Sequence, residues 1–151
     1  MLETMLSEAF PVSFRRRESF RPLEEIVGEL DGPDAVFRAG LAEGRVRIQK
    51  CGACDRHIFF PRVLCPHCGG TTLNWVEVSG KGTVYTATTV RQKPERGGDY
   101  NISMIDLAEG VRMMSRVEGI DPADVRIGMP VSAYVGNIDG TPGVLFKPAK
   151  V

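Results

Sequence analysis

The sequence has no long apolar run, no excess of either charge and few histidines or cysteines, and each shortage removes a class of function. Its longest apolar stretches, such as Val63-Leu64, or Ile102 to Leu107 with Ser103 and Asp106 inside it, fall far short of the roughly 20 residues that span a bilayer. No transmembrane segment is expected. At the N-terminus Leu2, Met5 and Leu6 alternate with Glu3 and Glu8, and the arginines follow them, the reverse of a secretory signal. The chain reads as cytoplasmic. Lys and Arg total 19 against 19 Asp and Glu, so no long-range field attracts a polyanion, which argues against a general nucleic-acid binder. There are only 2 histidines, and neither His-Glu-x-x-His nor Gly-x-Ser-x-Gly occurs, so zinc-peptidase and serine-hydrolase chemistry have no motif to rest on.

What is present divides the 151 residues into three parts: an arm with two short helices over 1–44, a cysteine-bearing module over 45–78 and a strand-rich remainder over 79–151. In the arm, Arg15, Arg16, Arg17 and Arg21 cluster around a single acid, Glu18, as a solvated or partner-facing surface or as a phosphate site. Leu23, Ile26, Val27 and Leu30 recur at helical spacing opposite Glu24, Glu25 and Glu29. A second helix starts between Asp31 and Asp34, with Pro33 in its first turn, and runs through Phe37 and Leu41 to a stop near Gly44. From Arg45 the period falls to that of a strand at Val46 and Ile48. Trp75, Val76 and Val78 follow the cysteines, with Trp75 read as core. Ser79 to Gly82 reads as a turn and Thr83 to Val90 as a strand. Residues 91–100 form a polar loop, and four more strands are predicted at Ile102–Leu107, Val111–Val117, Val131–Val135 and Val144–Phe146. Five short strands separated mostly by turns fit a small antiparallel barrel of OB type or a short sandwich.

The cysteines carry the clearest chemistry. Cys51-x2-Cys54 and Cys65-x2-Cys68, ten residues apart, let two tight turns aim four sulfurs at one metal, the spacing of a structural zinc ribbon. A disulfide pair does not suit a cytosolic chain, and iron–sulfur spacings differ. A module of roughly 25 residues cannot bury enough apolar surface to fold alone, so the metal must supply free energy on the order of 10 kcal/mol. His57 and His67 then stay outside the ligand shell. With every cysteine committed and the four-thiolate site closed, no thiol remains as a nucleophile.

The run FRAGLAEG from Phe37 to Gly44, CGAC at Cys51, Phe60-Pro61-Arg62, CPHC at Cys65, Trp75 and SGKGTVY from Ser79 to Tyr85 together resemble the zinc-ribbon plus OB-fold proteins encoded beside thiolases and related acyl-CoA enzymes. Ile105-Asp106-Leu107, Glu109 to Arg112 and Ile127 to Val131 look like the same family's barrel strands, and the likeness covers about residues 35–147. The resemblance implies a mainly β fold: N-terminal helical arm, rubredoxin-like zinc ribbon and five-stranded OB-fold barrel. It also implies a non-catalytic subunit of a hetero-oligomer with a thiolase-like enzyme subunit, with structural Zn2+ and coenzyme A or acyl-CoA as ligand. The first 30 residues depart from the family's commoner short N-terminus, and this longer arm implies a stable thiolase complex similar to the benzoylsuccinyl-CoA thiolases, with aromatic acyl-CoA degradation as its setting.

Phe59, Phe60 and Arg62 offer aromatic anchors and a cation to a ligand or partner, although the two phenylalanines could equally pack against the barrel. Arg15, Arg16 and Arg17 suit CoA phosphates. Two other readings stay open. A single-stranded nucleic-acid module would stack bases on Tyr85, Tyr134 and Phe146. An enzyme in its own right would have to use the polar residues Asp99, Tyr100, Asp106 and Glu109.

Overall fold

In the computed structural model, which describes residues 32–149, the chain enters on helix α1 (Pro33–Ala42). The arginine cluster at 15–21 and the helix expected over 23–30 lie outside the described residues. Pro33 supplies a fixed φ where no N–H partner is needed, and Asp34 places a carboxylate in the first turn. The helix stops because Gly44 takes φ +75°. Arg45 N–H then reaches back to Gly40 O (2.8 Å) and Gly44 N–H to Leu41 O (2.9 Å), the paired bonds of a Schellman stop. Among the described residues no helix is long and apolar enough to cross a membrane.

The ribbon is a three-stranded antiparallel sheet in the order β2 (His57–Ile58), β1 (Arg47–Cys51), β3 (Leu73–Glu77). Ile48 faces the barrel core, while Cys51 and Ile58 form, with Cys65, a separate cluster flanked by Cys54 and Leu73. Trp75 is half-buried on the edge strand β3 and is not among the core residues, which corrects the expectation.

The second sheet runs β6 (Arg112–Ser115), β5 (Tyr100–Leu107), β4 (Lys81–Val90), β7 (Pro130–Ile138), β8 (Thr141–Pro148). Its ends meet where Phe146 pairs in parallel with Val117: Phe146 N–H donates to Arg116 O (3.0 Å) and Glu118 N–H to Phe146 O (2.7 Å). That junction makes the sheet an OB-type barrel. Strand β4 bends through a register shift between Val84 and Thr86, and Gly82 allows the close approach, since a Cβ there would sit 2.7 Å from Ile105 Cγ2. The expected Ser79 to Gly82 turn therefore shrinks to Ser79-Gly80, with Lys81 and Gly82 already in the strand. The last two strands are longer than expected. Asp139 and Gly140 both have positive φ (51° and 88°), giving a two-residue turn whose twist lets β7 and β8 pair from end to end. Within residues 91–100 the loop contains a 3₁₀ turn at Pro94–Arg96.

One apolar cluster joins the parts. Leu41 of α1 and Val46 and Ile48 at the ribbon's start pack with Val84, Ile105, Met113, Val117, Val131 and Phe146 of the barrel. Asn101, with Ser103 beside it, is a polar residue buried at the seam. Its amide donates to Val117 O (2.6 Å) and its carbonyl accepts from Val117 N–H (2.9 Å) and Ser103 Oγ (2.9 Å). Asn101→Ala would strand both backbone groups of Val117 in the core, and we expect a loss of about 3 kcal/mol in urea unfolding. A loss under about 0.5 kcal/mol would show that the seam does not depend on this amide.

Candidate metal centre and the surfaces around it

The two cysteine pairs are held by the same backbone pattern. In the first, Asp55 N–H donates to Cys51 O and Cys51 N–H to Arg56 O, both at 2.9 Å. In the second, Gly69 N–H donates to Cys65 O and Cys65 N–H to Gly70 O, again at 2.9 Å. The residue just after each pair is left-handed: Asp55 at φ 61° and Gly69 at φ 73°. Aspartate and glycine are residue types that tolerate this conformation, so the sequence chemistry of both knuckles is local.

These turns bring the four sulfurs within 4.8 Å of one another, with Cys51–Cys68 and Cys54–Cys65 each at 3.6 Å. A disulfide would need about 2.05 Å. A tetrahedron with Zn–S bonds of about 2.3 Å has edges of about 3.8 Å, so the donor set and its spacing fit zinc. The electrostatics point the same way. N–H groups of Cys54 and Ala53 aimed at the Cys51 sulfur lower its pKa to about 6. The Gly70 N–H pulls Cys68 down too, but the sulfurs of Cys51 and Cys54 outweigh it and push Cys68 up to about 12. Without a cation the cluster cannot ionise fully. Cys51, Cys54, Cys65 and Cys68 would hold the ion, which supplies structural cross-linking. The histidines stand apart, with His67 Nδ1 3.3 Å from Arg56 Nη1.

Gln49 is a residue that sequence reasoning missed. Buried in β1, its side-chain amide donates to Arg62 O (2.8 Å) and accepts from Arg62 N–H (2.7 Å), pinning the loop that leads into the second knuckle. Its position on a strand already carrying Ile48 and Cys51 made it look like an outward polar residue. The pinned loop divides Phe59 from Phe60. Phe59 meets the ring of Phe37 edge-on at 5.7 Å and packs on the barrel core, whereas Phe60 stacks on Phe59 at 4.4 Å and is 61% exposed. Both line a groove of about 300 Å³ that also takes in Leu41, Met113, Met114 and Pro142. Arg62 is exposed and makes no ion pair among the described residues. Arg15, Arg16 and Arg17 lie outside the described residues.

Other candidate surfaces are less open to ligands. Phe146 is fully buried and cannot stack a base. The Arg112 guanidinium lies 3.3 Å over the Tyr85 ring and is itself paired with Asp106. Tyr134 donates to Glu118 (2.6 Å), and burial together with that carboxylate pushes its phenol up to about 12. Asp99 and Asp106 flank and end β5, too far apart to act as one site, and each is engaged by an arginine, Arg91 and Arg112. Glu109 is structural: it accepts from Ser79 N–H (2.6 Å), bracing the ribbon–barrel junction. Burial pushes its carboxyl up, but the Ser79 contacts win and hold it below the ordinary range.

Comparison with known proteins agrees with this architecture. The family described as "ChsH2, rubredoxin-like zinc ribbon domain" matches residues 38–74, and "ChsH2, C-terminal OB-fold domain" matches 75–136. A DUF35 domain-containing scaffold protein of Methanocaldococcus jannaschii is 38% identical over 115 residues, which is 68% of this chain and 79% of that one. The benzoylsuccinyl-CoA thiolase subunit BbsA of Thauera aromatica is 30% identical over 128 residues, covering 81% of this chain and 84% of that one. A probable enoyl-CoA hydratase alpha subunit of Thermomonospora curvata is 36% identical over 100 residues, 65% of this chain, and the chain spans only 31% of its length. Among solved structures, the Ltp2-ChsH2(DUF35) aldolase contains a similar chain, with a TM-score of 0.70 and 29% identity over 80% of this chain and 98% of that one.

Because zinc binding needs all four sulfurs as thiolates, protons compete with the metal for the site and acid releases it, while the N–H groups aimed at Cys51 favour its thiolate. We expect one zinc per chain by elemental analysis at pH 8, retained on gel filtration and released progressively below pH 6. Full retention after chelator treatment at pH 5 would contradict the assignment.

Proposed function

Because the chain belongs to the DUF35 family of zinc-ribbon plus OB-fold proteins, we propose that it is a non-catalytic subunit of a hetero-oligomeric acyl-CoA enzyme, with a thiolase-type partner. The observation that carries this reading is the commitment of all 4 cysteines of the chain to one four-sulfur metal site, which leaves no cysteine free of the metal for acyl transfer. The three carboxylates that a self-sufficient enzyme would draw on, Asp99, Asp106 and Glu109, are separately engaged by neighbours. Relatives that span comparable lengths are described as a scaffold protein and a thiolase subunit, which supports the same role here.

In this reading the catalytic cysteine belongs to the partner, and this chain aids assembly and acyl-CoA binding. Phe60 and Arg62 present a rigid aromatic and cationic loop to the partner or its ligand, with Phe59 beneath them as the packed base. Arg15, Arg16 and Arg17 are the candidate contacts for CoA phosphates. Likeness to the benzoylsuccinyl-CoA thiolase subunit makes an aromatic acyl-CoA the first substrate to try.

The test is co-expression with a thiolase encoded in the same genome. The two chains should co-elute on gel filtration, and thiolytic turnover should require both. Cys51→Ser should abolish assembly while the partner's own cysteine still reacts with iodoacetamide. Full turnover by the thiolase alone, with no complex, would refute the proposal.

A further inference from the structure

The four sulfurs are not equally sheltered. Cys51 and Cys65 are buried, Cys54 is half-buried and Cys68 is exposed. Pro66, His67 and Gly69 around Cys68 are exposed as well. The residue that could roof the Cys51–Cys68 pair is Gly70, and it has no side chain. A Cβ built there would lie 3.4 Å from Cys68 Sγ, 3.5 Å from Cys51 Sγ and 3.4 Å from the Cβ of Ala53, so glycine leaves that side of the pair uncovered. The other pair, Cys54–Cys65, has the same 3.6 Å separation but lacks an exposed member. Access, not distance, distinguishes the two.

A metal-held thiolate keeps lone pairs and nucleophilic character. We propose that Cys68 is a modification site, the sulfur at which electrophiles and peroxides enter the cluster, with Cys51 as its resolving partner. With a peroxide, Cys68 sulfur attacks one oxygen, an S–O bond forms, the O–O bond breaks and hydroxide leaves. The Cys51 thiolate then displaces a second hydroxide from Cys68, forming the S–S bond. Two thiolates lose two electrons, and the peroxide takes up those electrons and two protons to become two waters. Two of four metal ligands are lost in the process. The second knuckle then keeps only Cys65 as a metal ligand, and the new disulfide ties Cys68 to the first knuckle in place of the metal. With a simple alkylating agent the first bond alone forms, at Cys68, and one ligand is lost.

The zinc-loaded full chain should be treated with substoichiometric N-ethylmaleimide or, separately, with hydrogen peroxide. Modified cysteines are mapped by peptide mass spectrometry while a chromogenic chelator follows zinc release. Cys68 should be alkylated several-fold ahead of the other three, with zinc release in step, and peroxide should yield the Cys51–Cys68 disulfide. Gly70→Ala, whose added methyl fills the open side at contact distance, should keep its zinc and slow both reactions several-fold. First alkylation at Cys54, equal alkylation of all four, or a Cys54–Cys65 disulfide would overturn the proposal. So would a zinc-loaded Gly70→Ala chain reacting at the wild-type rate. If that variant fails to hold zinc, the wild-type map alone decides.

Discussion

Four sulfurs held 3.6 Å apart in pairs repel one another once ionised, and the chain's own hydrogen bonds offset only part of that repulsion. The backbone turns at Cys51 and Cys65 nevertheless aim all four inward, so the ribbon is built around a cation that must neutralise them. The apolar cluster on that side, Cys51, Ile58 and Cys65 flanked by Cys54 and Leu73, is too small to hold three short strands by burial alone. Metal binding and folding of the ribbon are therefore one event. The loop bearing Phe60 and Arg62 depends on it from one end, through Cys65, and on the buried amide of Gln49 from the other.

The barrel side rests on different physics. Its strands bury Val84, Ile105, Met113, Val131 and Phe146, and Asn101 satisfies the backbone at the one place where the sheet closes on itself. Val46 and Ile48 extend this core into the first ribbon strand, and Glu109 braces the connection at Ser79. A rigid metal-dependent head is thereby mounted on a metal-independent base. Such a division suits the proposed role, presenting a preformed surface to another protein.

The parts of this arrangement that obey local rules were readable from the residue order. The knuckles declare themselves by spacing, the helix by Pro33 and Gly44, and the last hairpin by Asp139-Gly140. What escaped is set by contacts between distant residues. Gln49 looks like a surface glutamine until Arg62, 13 positions away, is folded against it. Asn101 matters only because β5 meets the segment after β6, and Gly82 belongs to a strand because β5 crosses close behind it. Trp75, expected inside, sits on an edge strand whose inward positions were already filled by smaller residues such as Val76. Phe146 read as a possible stacking platform because alternation marks a strand but does not say which face is the core.

The central claim, that the thiolate cluster organises the ribbon while the barrel stands without it, is most directly tested by amide hydrogen exchange on the full chain before and after zinc is removed by a chelator. Protection over residues 47–77 should collapse, and that of strands β4 to β8 should persist except near the junction at Ser79. Unchanged protection across the ribbon in the metal-free chain would contradict the account.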